Sequence, residues 1–158
     1  MSDLRVGIGV DAHGLEAGVP LVLGGVEIAY PYGLAGHSDG DVIAHALIDA
    51  VLGAAGLGDI GSLFPSWEER FRGVSSLTLL QEAYAQVREA GWKLVNADCV
   101  LVGEEPKIAG ARTEMCRRLQ AAIGEGEVNV RATTTDELGF TGRGEGLAAH
   151  AVALIERR

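Results

Sequence analysis

Ser38-Asp39-Gly40-Asp41-Val42-Ile43-Ala44-His45-Ala46-Leu47-Ile48-Asp49-Ala50-Val51-Leu52-Gly53-Ala54-Ala55-Gly56 decides how the chain is built. Ser38, Asp39 and Asp41 offer side-chain oxygens to the free amides of a helix start, and Gly56 suits the left-handed residue that ends one. The stretch predicts a helix over 42–55 with His45 on its first turn. Upstream, Arg5 to Val10 reads as a strand, and Leu21-Val22-Leu23, Gly24-Gly25 and Val26-Glu27-Ile28 read as strand, two-residue turn and strand. Downstream, an irregular segment over 57–73 precedes a second helix over 76–90, on the spacing of Leu80, Ala83, Tyr84 and Val87, ended by Gly91. Trp92 to Gly103 is rich in Val and Leu and reads as a buried strand; Glu104-Glu105-Pro106-Lys107 turns into a third helix over 109–123, closed by Gly124. Val128, Val130 and Ala132 alternate with Asn129, Arg131 and Thr133, the period of a half-buried strand. The alanines of 147–156 fit either template, and the segment is assigned as a strand. Strands and helices alternate without repeat or linker, so the chain reads as one domain over 1–158.

Composition narrows the functions open to it. A net charge of -9 opposes a general nucleic-acid or anionic-membrane surface, since both need a basic face. Any phosphorylated ligand must find its positive partners locally. No stretch approaches the roughly 20 apolar residues of a membrane span, and Met1-Ser2-Asp3-Leu4-Arg5 has no signal or transit character, so a cytoplasmic protein is expected. Cys99 and Cys116 have no C-x-x-C spacing and make no disulfide framework; buried free thiols are expected. With 47% hydrophobic and 22% charged residues the chain is apolar for its size, which points to apolar surface covered by other subunits.

Chemistry concentrates in two constellations. Asp11-Ala12-His13 and His45 can supply three metal ligands from two elements. Zinc sites that do chemistry use three protein groups and leave a fourth position open. Residues two apart on an extended chain share a face, so Asp11 and His13 can reach one ion while Ala12 faces the core. The bland alternative is a solvated carboxylate, a strand-end histidine, and a His45 that merely packs on the sheet. The start of the 42–55 helix also aims amides and dipole at the 36–41 loop, an arrangement that favours phosphate, although Ser38 and Asp39 also suit a simple cap. The second constellation is Ala132-Thr133-Thr134-Thr135-Asp136-Glu137-Leu138-Gly139-Phe140-Thr141-Gly142-Arg143-Gly144-Glu145-Gly146, directly after a strand. Hydroxyls, glycine-freed amides, a guanidinium and carboxylates are what a diphosphate with a divalent ion requires, and also what a turn-rich loop contains.

Taken together, these segments resemble a known family. Asp11-Ala12-His13, Gly36-His37-Ser38-Asp39-Gly40-Asp41 with His45, Leu57-Gly58-Asp59-Ile60-Gly61 followed by Leu63-Phe64-Pro65, Pro106-Lys107, and Ala132 through Gly146 are similar to the 2-C-methyl-D-erythritol 2,4-cyclodiphosphate synthases. The resemblance spans nearly the whole chain. It implies an α+β domain with a mixed β-sheet covered by helices, assembled as a homotrimer with active sites between subunits. The implied reaction converts 4-diphosphocytidyl-2-C-methyl-D-erythritol 2-phosphate into the cyclic diphosphate and CMP, in non-mevalonate isoprenoid synthesis.

By position, the resemblance puts Zn2+ or another divalent transition metal on Asp11, His13 and His45. Mg2+ or Mn2+ would accompany the substrate diphosphate at Asp136. Substrate contacts fall on His37, Ser38, Asp59, Ile60, Gly61 and Phe64. The cytidine side falls on Gly103 to Ala109, including Pro106, Lys107 and Ile108, and the diphosphate side on Thr133, Thr134, Thr135 and Asp136. His37 and Thr134 match residues assigned to transition-state stabilisation. Phe140 and Arg143 match positions lining an apolar cavity on the trimer axis that can hold isoprenoid diphosphates; an interface core closed by Arg143 and Glu145 is the alternative. Two departures stand out: Ser66 follows Leu63-Phe64-Pro65 where the family usually has Asp, and Asp136, followed by Glu137, replaces the family's Glu. Two rival functions stay open, a phosphoester hydrolase using metal hydroxide on the same ligands and a non-catalytic trimeric binder of isoprenoid diphosphates.

Overall fold

The first strand is longer than its apolar pattern. In a computed structural model, which describes residues 2–158, β1 runs Leu4–Ala17, and the Asp-x-His pair lies inside it rather than beyond its end. Met1, part of the N-terminal reading, lies outside the described residues. β1 continues because it has partners along its length. Leu4 to Gly14 pair antiparallel with the last strand, β7 (Gly146–Arg157), and Leu15 to Ala17 with a short strand, β4 (Tyr32–Leu34), that the sequence pattern did not suggest.

The hairpin β2 (Leu21–Leu23) and β3 (Val26–Ile28) forms as expected, and β5 (Trp92–Val102) and β6 (Glu127–Thr133) complete the main sheet. Its order is β4-β1-β7-β5-β6. Among the described strands only β5 and β6 run parallel, joined by a helical crossover, so the sheet is mixed.

The opening stretch folds as read. α1 is Val42–Ala55; Asp41 caps it by accepting from the Ala44 amide, and Gly56 ends it at φ 71°. Nearly every side chain of α1 is buried, which marks a helix covered all round: the sheet on one side, α3 (Ser76–Glu89) on another. α4 (Arg112–Ile123) follows a single 3-10 turn at 109–111, where one continuous helix was expected. The segment 57–73 is more ordered than expected, with α2 at Ile60–Leu63 and a 3-10 turn at 69–71; α5 (Gly139–Gly142) shapes the glycine-rich loop.

The helices cover one face of the sheet, and glycines set the distance. A Cβ on Gly9 would lie 1.9 Å from the Ala46 carbonyl oxygen, and one on Gly7 2.1 Å from that of Ala50. Odd-numbered residues of β1 therefore face α1. Asp11 and His13 share that face, so Ala12 points the other way and is exposed, correcting its expected place in the core. On Ala12's side Val6 and Ile8 are 67% and 66% exposed, with Leu4, Val10 and, opposite Ile8, Val152 also open to solvent. Cys99 is buried, with its thiol pushed up to about 12 by that burial, and Cys116 is half-buried; both are free.

Candidate active site

The close packing of α1 on β1 carries His45 to the Asp-x-His pair. Asp11 Oδ2 lies 3.0 Å from His13 Nε2 and 3.0 Å from His45 Nδ1, and the two nitrogens are 3.4 Å apart. Ligands at about 2.0–2.2 Å around a tetrahedral zinc stand roughly 3.3 Å from one another. The triangle has the dimensions of one face of such a shell, and these three residues could hold a metal ion. Burial raises the Asp11 carboxyl, but the hydrogen bond from His13 and the nearness of both imidazoles outweigh it and hold it down at about 2. The hydrogen bond to Asp11 raises His13 against its own burial. Three groups so arranged favour a cation among them.

The loop before α1 is held from several sides. Buried Asp41 accepts from the Gly24 amide at 2.9 Å, Gly25 at 2.7 Å and Ala44 at 3.1 Å, tying the β2–β3 turn to the helix start. Burial, working against those three donors, pushes its carboxyl up to about 6. His37 Nε2 donates to the Glu68 carbonyl at 2.8 Å, and the Gly73 amide to the His37 carbonyl at 2.7 Å. These contacts draw the 64–73 segment over the triad.

The resulting cavity, about 330 Å³, is lined by the triad with His37, Ser38, Ile60, Gly61 and Phe64, and by Pro65, Ser66 and Trp67. Asp59 is not in its wall. It caps α2 in a reciprocal box with Ser62, while Asp49 on α1 fixes the Ile60 amide at 2.7 Å.

A second cavity, about 230 Å³, forms where the parallel strands β5 and β6 end side by side, Val102 opposite Thr133. It gathers Gly103, Glu104, Pro106, Lys107, Ile108 and Ala109 with Thr133 and Thr134, and adds Arg112. Lys107 Nζ donates to the Glu104 carbonyl at 2.9 Å. Thr135 turns to Thr141 and the Leu138 carbonyl instead, and exposed Asp136 sits at φ 51° beside Thr134. Arg143 lies on a third cavity of about 400 Å³ with Glu104, Glu105 and Glu137, paired to Glu145 at 2.9 Å, and Phe140 is part-exposed against Gly146. Among the described residues, none lines both the triad cavity and the Gly103–Thr134 cavity.

The model of the YgbB family matches residues 4–156. The chain belongs to the YgbB family. Among curated YgbB relatives, 2-C-methyl-D-erythritol 2,4-cyclodiphosphate synthase of Moorella thermoacetica is 52% identical over 154 residues, 96% of this chain and 94% of its own. The solved bifunctional IspDF of Campylobacter jejuni superposes with a TM-score of 0.95 at 41% identity, covering all of this chain and 43% of that one. A solved 2C-methyl-D-erythritol-2,4-cyclodiphosphate synthase in a CDP-bound form superposes at 0.87 with 39% identity, over 96% and 100% of the two chains. The α+β fold with its mixed sheet is thus that of the YgbB synthases.

Sequence reasoning missed Ser76, Asp49 and Arg112. Each reaches the site through a contact with a residue distant in the chain: Ser76 with His45, Asp49 with Ile60, Arg112 with the Val130 carbonyl. Ser76 read only as the first residue of a helix, and no local pattern distinguishes it from any other.

Proposed function

We propose that this YgbB chain closes 4-diphosphocytidyl-2-C-methyl-D-erythritol 2-phosphate into 2-C-methyl-D-erythritol 2,4-cyclodiphosphate with release of CMP, in the cytoplasm, as a step of non-mevalonate isoprenoid synthesis. The observation that carries the reading is the Asp11–His13–His45 triangle, of zinc-coordination size, in the wall of a cavity that also holds His37 and Ser38. The substrate's own 2-phosphate oxygen is the nucleophile; its new bond to the phosphoryl group beside the erythritol forms as the bond to CMP breaks. No protein nucleophile is needed. The task is to fold the substrate back on itself and neutralise charge, and positioning of that kind is worth about 7–11 kcal/mol in well-oriented intramolecular reactions.

Asp11, His13 and His45 would hold Zn2+, which when bound polarises phosphoryl oxygens and supplies a template for in-line displacement. Ser38 at the cavity wall gives a donor to the phosphate, with His37 beside it to steady the transition state, and the Ile60 and Gly61 backbone with Phe64 receives the methylerythritol; Asp59 supports that turn as its cap. Where the resemblance leads one to expect Asp, Ser66 offers a single hydroxyl in the same wall. Gly103 to Ala109, with Pro106 and Ile108, frames the cytosine, and Lys107 adds charge. Thr133 and Thr134 present hydroxyls to the diphosphate, with Thr134 facing the charge that builds up in the transition state, while Thr135 holds their loop through Thr141 and the Leu138 carbonyl. Asp136 would meet Mg2+ or Mn2+.

The substrate's two ends call for both cavities, and among the described residues of one chain these share no wall. A homotrimer, with the triad cavity of one subunit facing the cytidine cavity of the next, supplies the pair. The apolar face of Val6, Ile8, Val10 and Val152 supports such an assembly, and Phe140 with Arg143 would then line its axis, where an isoprenoid diphosphate could sit. Phosphorus NMR of the product, with zinc and magnesium present, tests the reaction: a cyclic diphosphate plus CMP is expected, and inorganic phosphate without cyclic product would mark a hydrolase. His45→Ala should lose zinc and CMP release together, and unchanged CMP release would overturn the mechanism.

A further inference from the structure

His45 is specified on both ring nitrogens. Nδ1 lies 3.0 Å from Asp11 Oδ2, and on the far side Nε2 lies 2.8 Å from Ser76 Oγ, a hydroxyl fully buried at the start of α3. Ser76 Oγ in turn donates to Asp39 Oδ1. Asp39 also accepts from the Ser76 amide at 2.9 Å and the Asp41 amide at 3.1 Å, so the carboxylate is committed as an acceptor. Proton counting fixes the rest. A serine hydroxyl has one proton, and Asp39 takes it; towards His45, Ser76 can only accept. Nε2 must therefore carry the ring proton. The second hydroxyl near that nitrogen, Ser38 Oγ at 3.1 Å, is the longer contact and does not alter the direction.

We infer that Asp39 and Ser76 form a relay that holds His45 as its Nε2–H tautomer, leaving Nδ1 bare toward Asp11 and His13, and are thereby positioning residues for the divalent cation; this rests on the reading of the triad as a metal site. A bare Nδ1 facing a carboxylate oxygen at 3.0 Å sets two acceptors against each other, and a cation between them resolves the conflict. Histidines that bind metals commonly donate their other N–H to such a partner, which fixes the ring and raises its basicity. Here the partner is a hydroxyl, itself oriented by a carboxylate from the loop that precedes α1. Asp39 is then more than the cap the sequence suggests: it links the starts of α1 and α3 and reaches the metal ligand through Ser76.

A purely structural role for the pair is separable. Ser76→Ala removes the hydroxyl yet keeps the backbone amide that Asp39 accepts. Asp39→Asn keeps the shape but offers Ser76 an amide donor, which lets the Ser76 proton turn toward Nε2 and favours the Nδ1–H ring. Zinc affinity, measured by chelator competition, should fall about 10–100-fold in both variants, the usual effect of losing an outer-shell partner. The melting temperature of the metal-free chain should move far less than that of the zinc-loaded chain. Long-range proton–nitrogen NMR of metal-free wild type should show His45 protonated at Nε2, and Asp39→Asn should shift it toward Nδ1. Wild-type His45 protonated at Nδ1, or zinc binding within twofold of wild type in both variants, overturns the relay. A wild-type chain that binds no zinc overturns the metal reading instead, and the NMR result on that chain still decides the relay by itself.

Discussion

Gly9→Ala should damage the proposed metal site without touching any of its three proposed ligands. The added Cβ would lie 1.9 Å from the Ala46 carbonyl oxygen and 2.8 Å from the Ala46 carbonyl carbon and the Ala50 nitrogen, where ordinary contact begins at 3.4 Å. All three are helix backbone, so no side chain can swing aside. α1 must recede from β1 by about 1.5 Å, or the strand must bend, and overpacking of that kind costs about 1–3 kcal/mol. For a chain of this length that is a fall of about 2–12 °C in melting temperature. Ala46 follows His45 directly, so the shift passes to the ligand. Metal sites tolerate ligand distances within about 0.2 Å, several times less than the displacement. Zinc affinity should fall by more than the roughly 100-fold expected from an outer-shell change. Gly14→Ala, on the same strand beside His13, is the control, because its Cβ would meet nothing closer than the Glu145 carbonyl oxygen at 3.9 Å. The two variants should be compared by thermal melting and by chelator competition. A Gly9→Ala chain that melts with wild type and binds zinc as tightly would refute the claim that glycine sets the position of His45.

Two further outcomes follow from burial and exposure. Asp41 is held up at about 6 against an ordinary 3.8, so its contribution to stability is full below about pH 4 and is lost as pH rises through about 6. Urea midpoints of the metal-free chain should decline across that window, and Asp41→Asn should flatten the decline; equal slopes would count against the assignment. Ile8→Lys puts a charge in the middle of the exposed apolar face, 66% open in the single chain, and should convert the proposed trimer to monomers in sedimentation and abolish CMP release while leaving far-ultraviolet dichroism intact. A trimeric Ile8→Lys chain would remove this face from the interface.

The helices and strands that were legible in the sequence are those whose signals are local. α1 matched to the residue because its cap, its apolar run and its stop all lie within 38–56. β6 was legible because Val128 and Val130 alternate with exposed neighbours. β4 and the far half of β1 were not, because Gly14 to Ala17 and Tyr32 to Leu34 are strands by virtue of each other and of β7, and neither segment alternates convincingly alone. The side of β1 that faces inward was misread for the same reason. Ala12 is the apolar member of Asp11-Ala12-His13, so pattern alone turns it to the core, whereas the close seat of α1 on Gly7 and Gly9 turns the polar pair inward.

The site divides along the same line. The candidate ligands declare themselves through histidine, of which the chain has four, and Asp11 through its place two residues before one of them. Their supports do not: serine and aspartate are common, and Ser76 and Asp39 matter only because 37 residues of chain return to the same point. The same holds for the cytidine-side cavity, where Gly103 to Ala109 and Thr133 to Thr134 were legible as separate segments, but their meeting follows from β5 and β6 being parallel neighbours with Val102 opposite Thr133. A parallel pair needs a crossover to bring both strand ends to one edge. α4 is that crossover, and Arg112 at its start reaches the Val130 carbonyl, binding the helix to the strand it delivers. The topology thus brings together what the sequence keeps apart, and it supplies the residues that single-sequence reasoning had no means to rank.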